Sequence, residues 1–257
     1  MDMRYIFETN PNSEMQTPEQ DKILSVVNLQ RTRYKSTWDL QRRIFDKRVA
    51  GKCSDVLLLN EHDHVYTLGK GSNDNHLLAA NAELKAKGID VFHNDRGGDV
   101  TYHGPGQLVG YPILDLNNYY LDIHRYLRDL EEVIIRTLAE YRITGHRDEN
   151  FTGVWVSNEK IAAIGVKVSH WVTMHGFALN VNTDLSYFDR IIPCGIFHKG
   201  VTSLERLLGR NVLMNEVSEK IAVHFGRVFG VNIIHQDSQE FLQSLPALKS
   251  EPIESLS

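Results

Sequence analysis

The 257-residue chain contains only two cysteines, Cys53 and Cys194. Two are too few for a disulfide framework or for an all-cysteine metal site, and a chain of this length buries a core that needs no covalent staples. Disulfides are therefore excluded as an organising feature, and we expect a reducing compartment.

The sequence also lacks long apolar runs, since no stretch approaches the roughly 18 residues that a membrane helix requires. Its first residues are polar and partly acidic, without the apolar segment of a signal peptide or the arginine-rich pattern of a transit peptide. We expect a cytoplasmic protein that has no membrane partner.

Positive charge is not in excess, because the net charge is -5 and the sequence pI is about 6.2. This balance argues against nucleic acid as a partner, since such proteins bind mainly by neutralising phosphates. Basic residues do cluster locally, at Arg31, Arg33, Lys35, Arg42, Arg43, Lys47 and Arg48. A run of this kind is typical of a solvated helix face, and it is also suited to steering an acidic partner.

Histidine is common, with 12 residues, but no metal site is predicted. The segment His62-Asp63-His64 has the wrong spacing for a helical pair of ligands, and most histidines in proteins have no ligand role.

The length and composition predict a single domain with one sizeable core over residues 21–242. Residues 1–20 are polar and aperiodic, and residues 243–257 are rich in Ser, Pro and Glu, so we expect a loose N-terminal extension and a C-terminal tail. No internal repeat or linker divides the part between them.

Apolar residues recur at helical spacing in residues 36–50, 121–141 and 215–229. Short apolar runs predict strands at residues 56–59, 65–68, 91–92, 100–102, 108–114, 154–156, 161–168 and 177–181. The turn Gly104-Pro105-Gly106 predicts a hairpin between two of these strands. Helices interspersed with strands indicate an α+β (mixed α/β) fold.

Residues 96–107 form the densest unusual segment, with four glycines and one proline in twelve positions. They read Arg96-Gly97-Gly98-Asp99-Val100-Thr101-Tyr102-His103-Gly104-Pro105-Gly106-Gln107. Glycine permits close approach of a ligand to the backbone, but a tight hairpin with a polar rim has the same composition. The dinucleotide fingerprint fails at Val109, and Gly69-Lys70-Gly71 is not a phosphate-binding loop.

Cys194 stands between Pro193 and Gly195, a turn that can present a thiol at an edge. A nucleophilic thiol needs a nearby cation to lower its pKa, and a buried inert cysteine is the alternative. Lys160, at a strand end, is by itself typical of a solvated residue, and His175 beside Gly176 either orients a substrate or fills the core.

Four blocks together resemble the lipoyl (octanoyl) transferase family. They are residues 96–107, Lys160-Ile161-Ala162-Ala163-Ile164-Gly165, His175-Gly176-Phe177-Ala178-Leu179-Asn180 and Pro193-Cys194-Gly195. The resemblance covers about residues 26–229. The chain departs from the family pattern at His62-Asp63-His64, where His-Pro-Pro is more usual.

The resemblance implies a catalytic dyad of Cys194 and Lys160. It implies substrate contacts at Arg96, Gly97, Gly98, Asp99, Val100, Thr101, Tyr102, His103, Ala163, Ile164, Gly165, Gly176, Phe177 and Ala178. It also implies a mixed sheet flanked by helices, similar to the catalytic domain of lipoate and biotin protein ligases, with the acyl chain in an apolar tunnel. No cofactor is expected.

By this resemblance, the activity is transfer of octanoyl from octanoyl-acyl carrier protein to a lipoyl-domain lysine, through a thioester on Cys194. The acceptors are lipoyl domains of 2-oxoacid dehydrogenase complexes or the glycine cleavage H protein. Three alternatives stay open: an ATP-dependent lipoate or biotin ligase, a non-catalytic acyl-binding protein, and a thioesterase.

Overall fold

The computed structural model describes residues 22–192 and 200–245. Its strands, in chain order, are β1 (Ile23–Thr32), β2 (Asp55–His62), β3 (Val65–Leu68), β4 (Asp90–His93), β5 (Val100–His103), β6 (Gln107–Ile113), β7 (Val154–Val156), β8 (Glu159–Ser169), β9 (Val172–Asn180), β10 (Gly200–Val201) and β11 (Asn232–Gln236). The helices are α1 (Tyr34–Val49), α2 (Asn81–Ala86), α3 (Ile123–Glu140), α4 (Leu204–Leu208), α5 (Met214–Phe229) and α6 (Ser238–Ser244).

The strands form two sheets. A mixed sheet of eight has the order β10-β8-β9-β6-β2-β1-β11, with β7 paired to β8, and a smaller sheet has the order β4-β3-β5. In the large sheet, β1 pairs in parallel with β2 and β11, whereas β6 is antiparallel to β2 and β9. The expected mixed sheet flanked by helices is confirmed.

Helices cover both faces of the large sheet. On one face, α3 and α5 pack over the largest apolar cluster, which includes Leu130, Ile134 and Phe225. On the other face, α1 and α6 cover a second cluster, to which Leu40 and Phe241 belong. Strand β2 is covered on both faces, so its apolar run is buried with Leu57 and Leu59 in the first cluster and Val56 and Leu58 in the second.

Helix α3 begins at a residue that can cap it. The Asp122 side chain accepts a hydrogen bond from the N–H of Arg125, which satisfies one of the free amide groups at the helix start. The apolar positions of the helix then recur at three and four residues, and the resulting stripe faces the core.

The three predicted helices are confirmed as α1, α3 and α5, with no end shifted by more than two residues. The predicted hairpin at Gly104-Pro105-Gly106 is wrong. Strand β5 pairs with β3 in the small sheet, while β6 pairs in the large one, so this turn carries the chain between sheets. A turn rich in glycine indicates that the chain reverses its direction. Whether the two flanking strands pair with each other depends on strands that are distant in the sequence.

The ends of the chain lie mostly outside the described residues, including all of the expected extension at 1–20. At the other end, α6 runs to Ser244 and Leu245 is buried in the second cluster, so described structure enters the segment expected as a tail. Within residues 22–192 and 200–245, no helix is long and apolar enough to cross a membrane.

Candidate active site

A cavity of about 530 Å³ is lined by residues of both sheets. The small sheet contributes β5, and the large sheet contributes β6, β8 and β9. The loop that precedes β5 and the segment Asn150, Phe151 and Thr152 complete the wall. The glycine-rich segment is therefore part of a cavity, as a ligand-binding interpretation requires.

Small residues form one side of this cavity. On β8 and β9, Ala163 is opposite Ala178 and Gly165 is opposite Gly176. A Cβ on Gly165 would lie 2.9 Å from the carbonyl oxygen of Gly97, a distance that real Cβ atoms do not show. Glycine at this position lets the loop approach the sheet closely.

Arg96 organises the loop. Its buried guanidinium donates to the carbonyl oxygens of Thr67 (2.8 Å), Asp99 (2.7 Å) and Gly97 (3.1 Å). The N–H of Gly97 then donates to the Val166 carbonyl oxygen on β8 at 2.9 Å. These bonds tie the loop to both sheets and fix the shape of the cavity wall.

Asp99, also on the cavity wall, connects to the chain before Cys194. Its carboxylate lies 2.5 Å from Nδ1 of His76, and the carbonyl oxygen of His76 accepts a hydrogen bond from the N–H of Ile192 at 2.8 Å. Cys194 itself lies outside the described residues, so its distance from Lys160 stays a prediction.

Lys160 lies on the cavity lining and is half-buried. Its Nζ donates to the carbonyl oxygen of Thr152 at 3.3 Å and sits 4.8 Å from the centre of the Trp155 ring. Strand β10, which follows Cys194 in the sequence, pairs here, with Val201 opposite Lys160. Lys160 therefore lies beside the first described residues that follow Cys194.

His103 is held in one tautomer by its neighbours. The amide nitrogen of Gln107 donates to Asn180 Oδ1 at 2.9 Å, so the amide oxygen accepts from His103 Nδ1 at 2.7 Å. Asn180 in turn donates to the carbonyl oxygen of Thr202 at 3.0 Å. Burial lowers the pKa of His103 to about 3, which leaves the ring neutral at pH 7.

Of the predicted site residues within the described ranges, Tyr102 alone is not on the cavity lining. Those on the lining are Arg96, Gly97, Gly98, Asp99, Val100, Thr101, His103, Lys160, Ala163, Ile164, Gly165, His175, Gly176, Phe177 and Ala178. The hydroxyl of Tyr102 lies 2.8 Å from His64 Nδ1, and its ring packs against Tyr187 in the core of the small sheet. Strand alternation turns it away from its neighbours Thr101 and His103.

Three buried lining residues were not predicted as site residues: Tyr34, Val109 and Tyr111. Val109 and Tyr111 are two residues apart on β6 and so share a face. That alternation was visible in the sequence, but nothing in it indicated which face of β6 meets a cavity.

Within residues 22–192 and 200–245, no three His, Cys, Asp or Glu residues are grouped so that they could hold a metal ion. The lining combines apolar and hydrogen-bonding groups around Lys160. Such a cavity is suited to an acyl chain with a polar reacting end.

The comparisons with known proteins agree with this geometry. Residues 33–226 match the lipoyl protein ligase A/B catalytic domain family. The octanoyltransferase of Flavobacterium psychrophilum is 50% identical over 83% of this chain and 100% of its own length. The octanoyltransferase of Rubrobacter xylanophilus is 56% identical over 77% and 90%.

Among solved structures, a bipartite lipoate protein ligase from Thermoplasma acidophilum, studied with its E2 lipoyl domain, has a TM-score of 0.69. It is 16% identical over 87% of this chain and 90% of that chain, and so shows the likeness of fold alone. The extent and identity of the sequence matches decide membership: this chain belongs to the lipoyl protein ligase A/B catalytic domain family, among its octanoyltransferases.

Proposed function

We propose that this acyltransferase moves an octanoyl group from octanoyl-acyl carrier protein to a lysine of a lipoyl domain, through a thioester on Cys194. The observation that carries the proposal is the position of Lys160 on a cavity whose floor is made of small residues. The cavity accepts an aliphatic chain, and the lysine stands where the chain's reacting end would lie.

The flanks of Cys194 support its place at this cavity. Ile192, two residues before it, is tied through His76 to Asp99 on the cavity wall. Two extended residues span at most about 7 Å, a length compatible with the proposed place of Cys194 at this cavity. On the other flank, the N–H of Thr202 donates to the Lys160 carbonyl oxygen at 3.0 Å.

In the first half-reaction, the ammonium of Lys160 favours the thiolate of Cys194, because an opposite charge nearby lowers a thiol pKa. The thiolate sulfur attacks the carbonyl carbon of the carrier thioester. The tetrahedral intermediate then expels the carrier sulfur as a thiolate, which takes a proton from the Lys160 ammonium, and the octanoyl thioester remains on Cys194. Backbone N–H groups near Gly98 or Gly195 are the candidate donors to the oxyanion.

In the second half-reaction, the neutral amine of the acceptor lysine attacks the thioester and gives up a proton as the amide forms. Deprotonated Lys160 or neutral His103 is the candidate base for that proton. The sulfur of Cys194 leaves as a thiolate, so the nucleophile is regenerated. Conversion of a thioester to an amide runs downhill, so the cycle needs no ATP, metal or organic cofactor.

The partners follow from this chemistry. They are octanoyl-acyl carrier protein as donor and lipoyl domains of 2-oxoacid dehydrogenase complexes or the glycine cleavage H protein as acceptors, in the cytoplasm. Several residues of the basic cluster already form ion pairs within the protein: Arg31 with Asp63, Lys35 and Arg42 with Asp39, and Arg48 with Asp55. The cluster is therefore only weak support for an acidic partner.

The direct test is intact mass spectrometry of the protein mixed with octanoyl-acyl carrier protein, followed by addition of an apo lipoyl domain. We expect wild type to gain one octanoyl group and to pass it on without ATP, and Cys194→Ser to do neither. Cys53→Ser is the matched control, since Cys53 packs beside the second apolar cluster and does not line the cavity. An adduct that survives in Cys194→Ser but disappears in Cys53→Ser would overturn the assignment.

The fold favours one rival function, ATP-dependent ligation, because lipoate ligases share it. A ligase would transfer free octanoate only with ATP and would keep its activity in Cys194→Ser. A non-catalytic binder would hold the chain without turnover, and a thioesterase would release octanoate to water. The same mass measurements, with and without ATP, distinguish all four functions.

A further inference from the structure

We propose that Tyr111, supported by Tyr34, closes the inner end of the cavity and sets the longest acyl chain that the protein accepts. This inference rests on the proposed function and extends it to substrate choice. It makes Tyr111 a specificity-determining residue of the octanoyl site.

Burial divides the cavity into a mouth and an inner end. Thr152, whose carbonyl oxygen accepts a hydrogen bond from Lys160, is exposed, and so is Asn150 on the same segment of the lining. In contrast, Val109 is 1% exposed, and Tyr34 and Tyr111 are each 4% exposed. A chain whose thioester reacts at Lys160 therefore has its methyl end toward the two tyrosines.

The strand register gives the same direction. Val109 on β6 is opposite Ala178 on β9, and Ala178 is opposite Ala163 on β8, so the three form one row across the sheet. The antiparallel register of β6 and β9 places Tyr111 one row further, beside Gly176. Successive rows are about 6.6 Å apart, at roughly 3.3 Å per residue.

That second row is also farther from Lys160. Along β8, Ala163 is three residues from Lys160, and Gly165, which pairs with Gly176, is five residues from it. The cavity floor thus runs from the lysine past two rows of Ala and Gly to the ring of Tyr111. Small residues leave the space open until a large side chain fills it.

Hydrogen bonds fix both tyrosine rings. The Tyr111 hydroxyl lies 2.7 Å from His62 Nε2, and Asn94 donates to the Tyr34 hydroxyl at 2.7 Å. His62 Nδ1 faces the carbonyl oxygen of Thr32 at 3.1 Å and must be its donor, so Nε2 accepts from Tyr111. Since both hydroxyls are bonded within the protein, the rings offer a fixed apolar stop.

Ring contacts join the two tyrosines through the histidines between them. Tyr34 is stacked on His103, with centroids 6.2 Å apart and planes at 7°, and it meets His62 edge-on at 5.3 Å. His62 in turn contacts the ring of Tyr111 at 5.9 Å. A stop held in this way does not yield easily to a longer chain, because packed interiors resist displacement.

The test compares hexanoyl, octanoyl, decanoyl and dodecanoyl thioesters of acyl carrier protein in single-turnover acylation of Cys194. We expect Tyr111→Ala to raise decanoyl and dodecanoyl rates relative to octanoyl by about ten-fold or more, because each newly buried methylene contributes about four-fold in affinity. Tyr111→Phe is the matched control: it removes the bond to His62 but keeps the ring, so its ratios should match wild type. A folded Tyr111→Ala with wild-type ratios would overturn the proposal.

A second variant tests the proposal in case Tyr111→Ala folds poorly. Ala178→Val adds bulk one row nearer to Lys160 and should shift the preference toward hexanoyl, and an unchanged profile there would also count against the proposal. Calorimetry with free fatty acids of six to twelve carbons measures the affinity for each chain length, and so the depth of the cavity, without turnover. If the longest fatty acid bound changes in these variants but wild type does not transfer octanoyl, the proposed function is wrong. The role of Tyr111 in limiting the chain length is then still supported.

Discussion

The carboxylate of Asp95 lies 2.9 Å from Nε2 of His175, and its other oxygen lies 2.6 Å from Nζ of Lys167. This arrangement ties the start of the glycine-rich segment to both β8 and β9. The hydrogen bond from His175 and the ammonium of Lys167 hold the pKa of Asp95 well below its ordinary value, while burial lowers the pKa of His175. The pair is therefore an anionic carboxylate and a neutral ring.

We expect Asp95→Ala to destabilise the fold by about 1–3 kcal/mol, because it leaves the buried Nε2–H of His175 without an acceptor. Lys167→Ala removes a partly exposed ion pair and the cation–π contact of Nζ with the Phe45 ring, each of which contributes at most about 1 kcal/mol. Urea unfolding of the two variants checks the difference. Asp95→Ala also loses this ion pair, so equal losses would mean that the bond to His175 contributes no more than the contact of Lys167 with Phe45.

Acid should destabilise the protein before its carboxylates titrate. Burial lowers the pKa of His62 to about 4 and that of His103 to about 3, from an unfolded value of 6.5. Between those values the unfolded state binds protons that the folded state does not. Stability is therefore complete above about pH 6.5 and falls as the pH drops, by up to about 1.4 kcal/mol per unit for each histidine.

Urea unfolding at pH 7, 6 and 5 measures that slope. A His103→Gln variant keeps a polar side chain but cannot titrate, so its stability should depend less steeply on pH over the same range. An identical slope in this variant would remove His103 from the explanation.

Gly165→Ala should lower the free energy of unfolding by about 1–3 kcal/mol, since the new Cβ collides with the backbone of the glycine-rich loop. The matched control is Gly97→Ala, whose Cβ would meet nothing nearer than the Val166 carbonyl oxygen at 3.4 Å. We expect its loss to be well below that of Gly165→Ala. Thermal unfolding of both checks this, and a larger loss in the control would contradict the close-approach argument.

Loss of the charge at position 160 should raise the pKa of the Cys194 thiol. Removal of a neighbouring cation changes a pKa by about 1–3 units, so Lys160→Ala should react roughly 10-fold or more slowly with iodoacetamide at pH 7. Lys160→Arg retains the charge and should react faster than the alanine variant. Cys53 is the internal reference, since burial raises the pKa of its thiol.

The mass spectrum after a timed reaction separates the two thiols. Equal Cys194 reactivity in wild type and Lys160→Ala would remove the lysine from thiolate formation, leaving only its role as a candidate base. Lys160→Arg would then also match wild type.

Local patterns predicted much of this fold. The helices α1, α3 and α5 were predictable because their apolar spacing reflects burial of one face. Most strands were predictable because each is a short apolar run, as is typical of a buried strand. The strand β1 was missed, since Ser25 and Asn28 interrupt its apolar residues, which form neither a continuous run nor a strict alternation. The split of β5 and β6 between sheets was also missed, because pairing with β3 or β9 leaves no mark on the turn that joins them.

The same contrast holds at the cavity. The glycine-rich block was predictable because glycine is needed where the loop approaches Gly165. The inner wall was not, since Tyr34 and Tyr111 are ordinary apolar positions of a helix and a strand until tertiary packing places them around one space. Likewise, nothing near Asp95 in the sequence indicates a partner eighty positions later at His175.

The parallel pairing of β1 with β11 also bears on synthesis of the protein. Ile23 is opposite Asn232, so β1 meets this neighbour only after some two hundred further residues have been translated. Until then, one edge of β1 presents unpaired backbone groups in the growing polypeptide. Such an edge can pair with strands of other chains and so cause aggregation. This risk lasts until β11 has left the ribosome and paired with β1, even if the rest of the sheet has already formed.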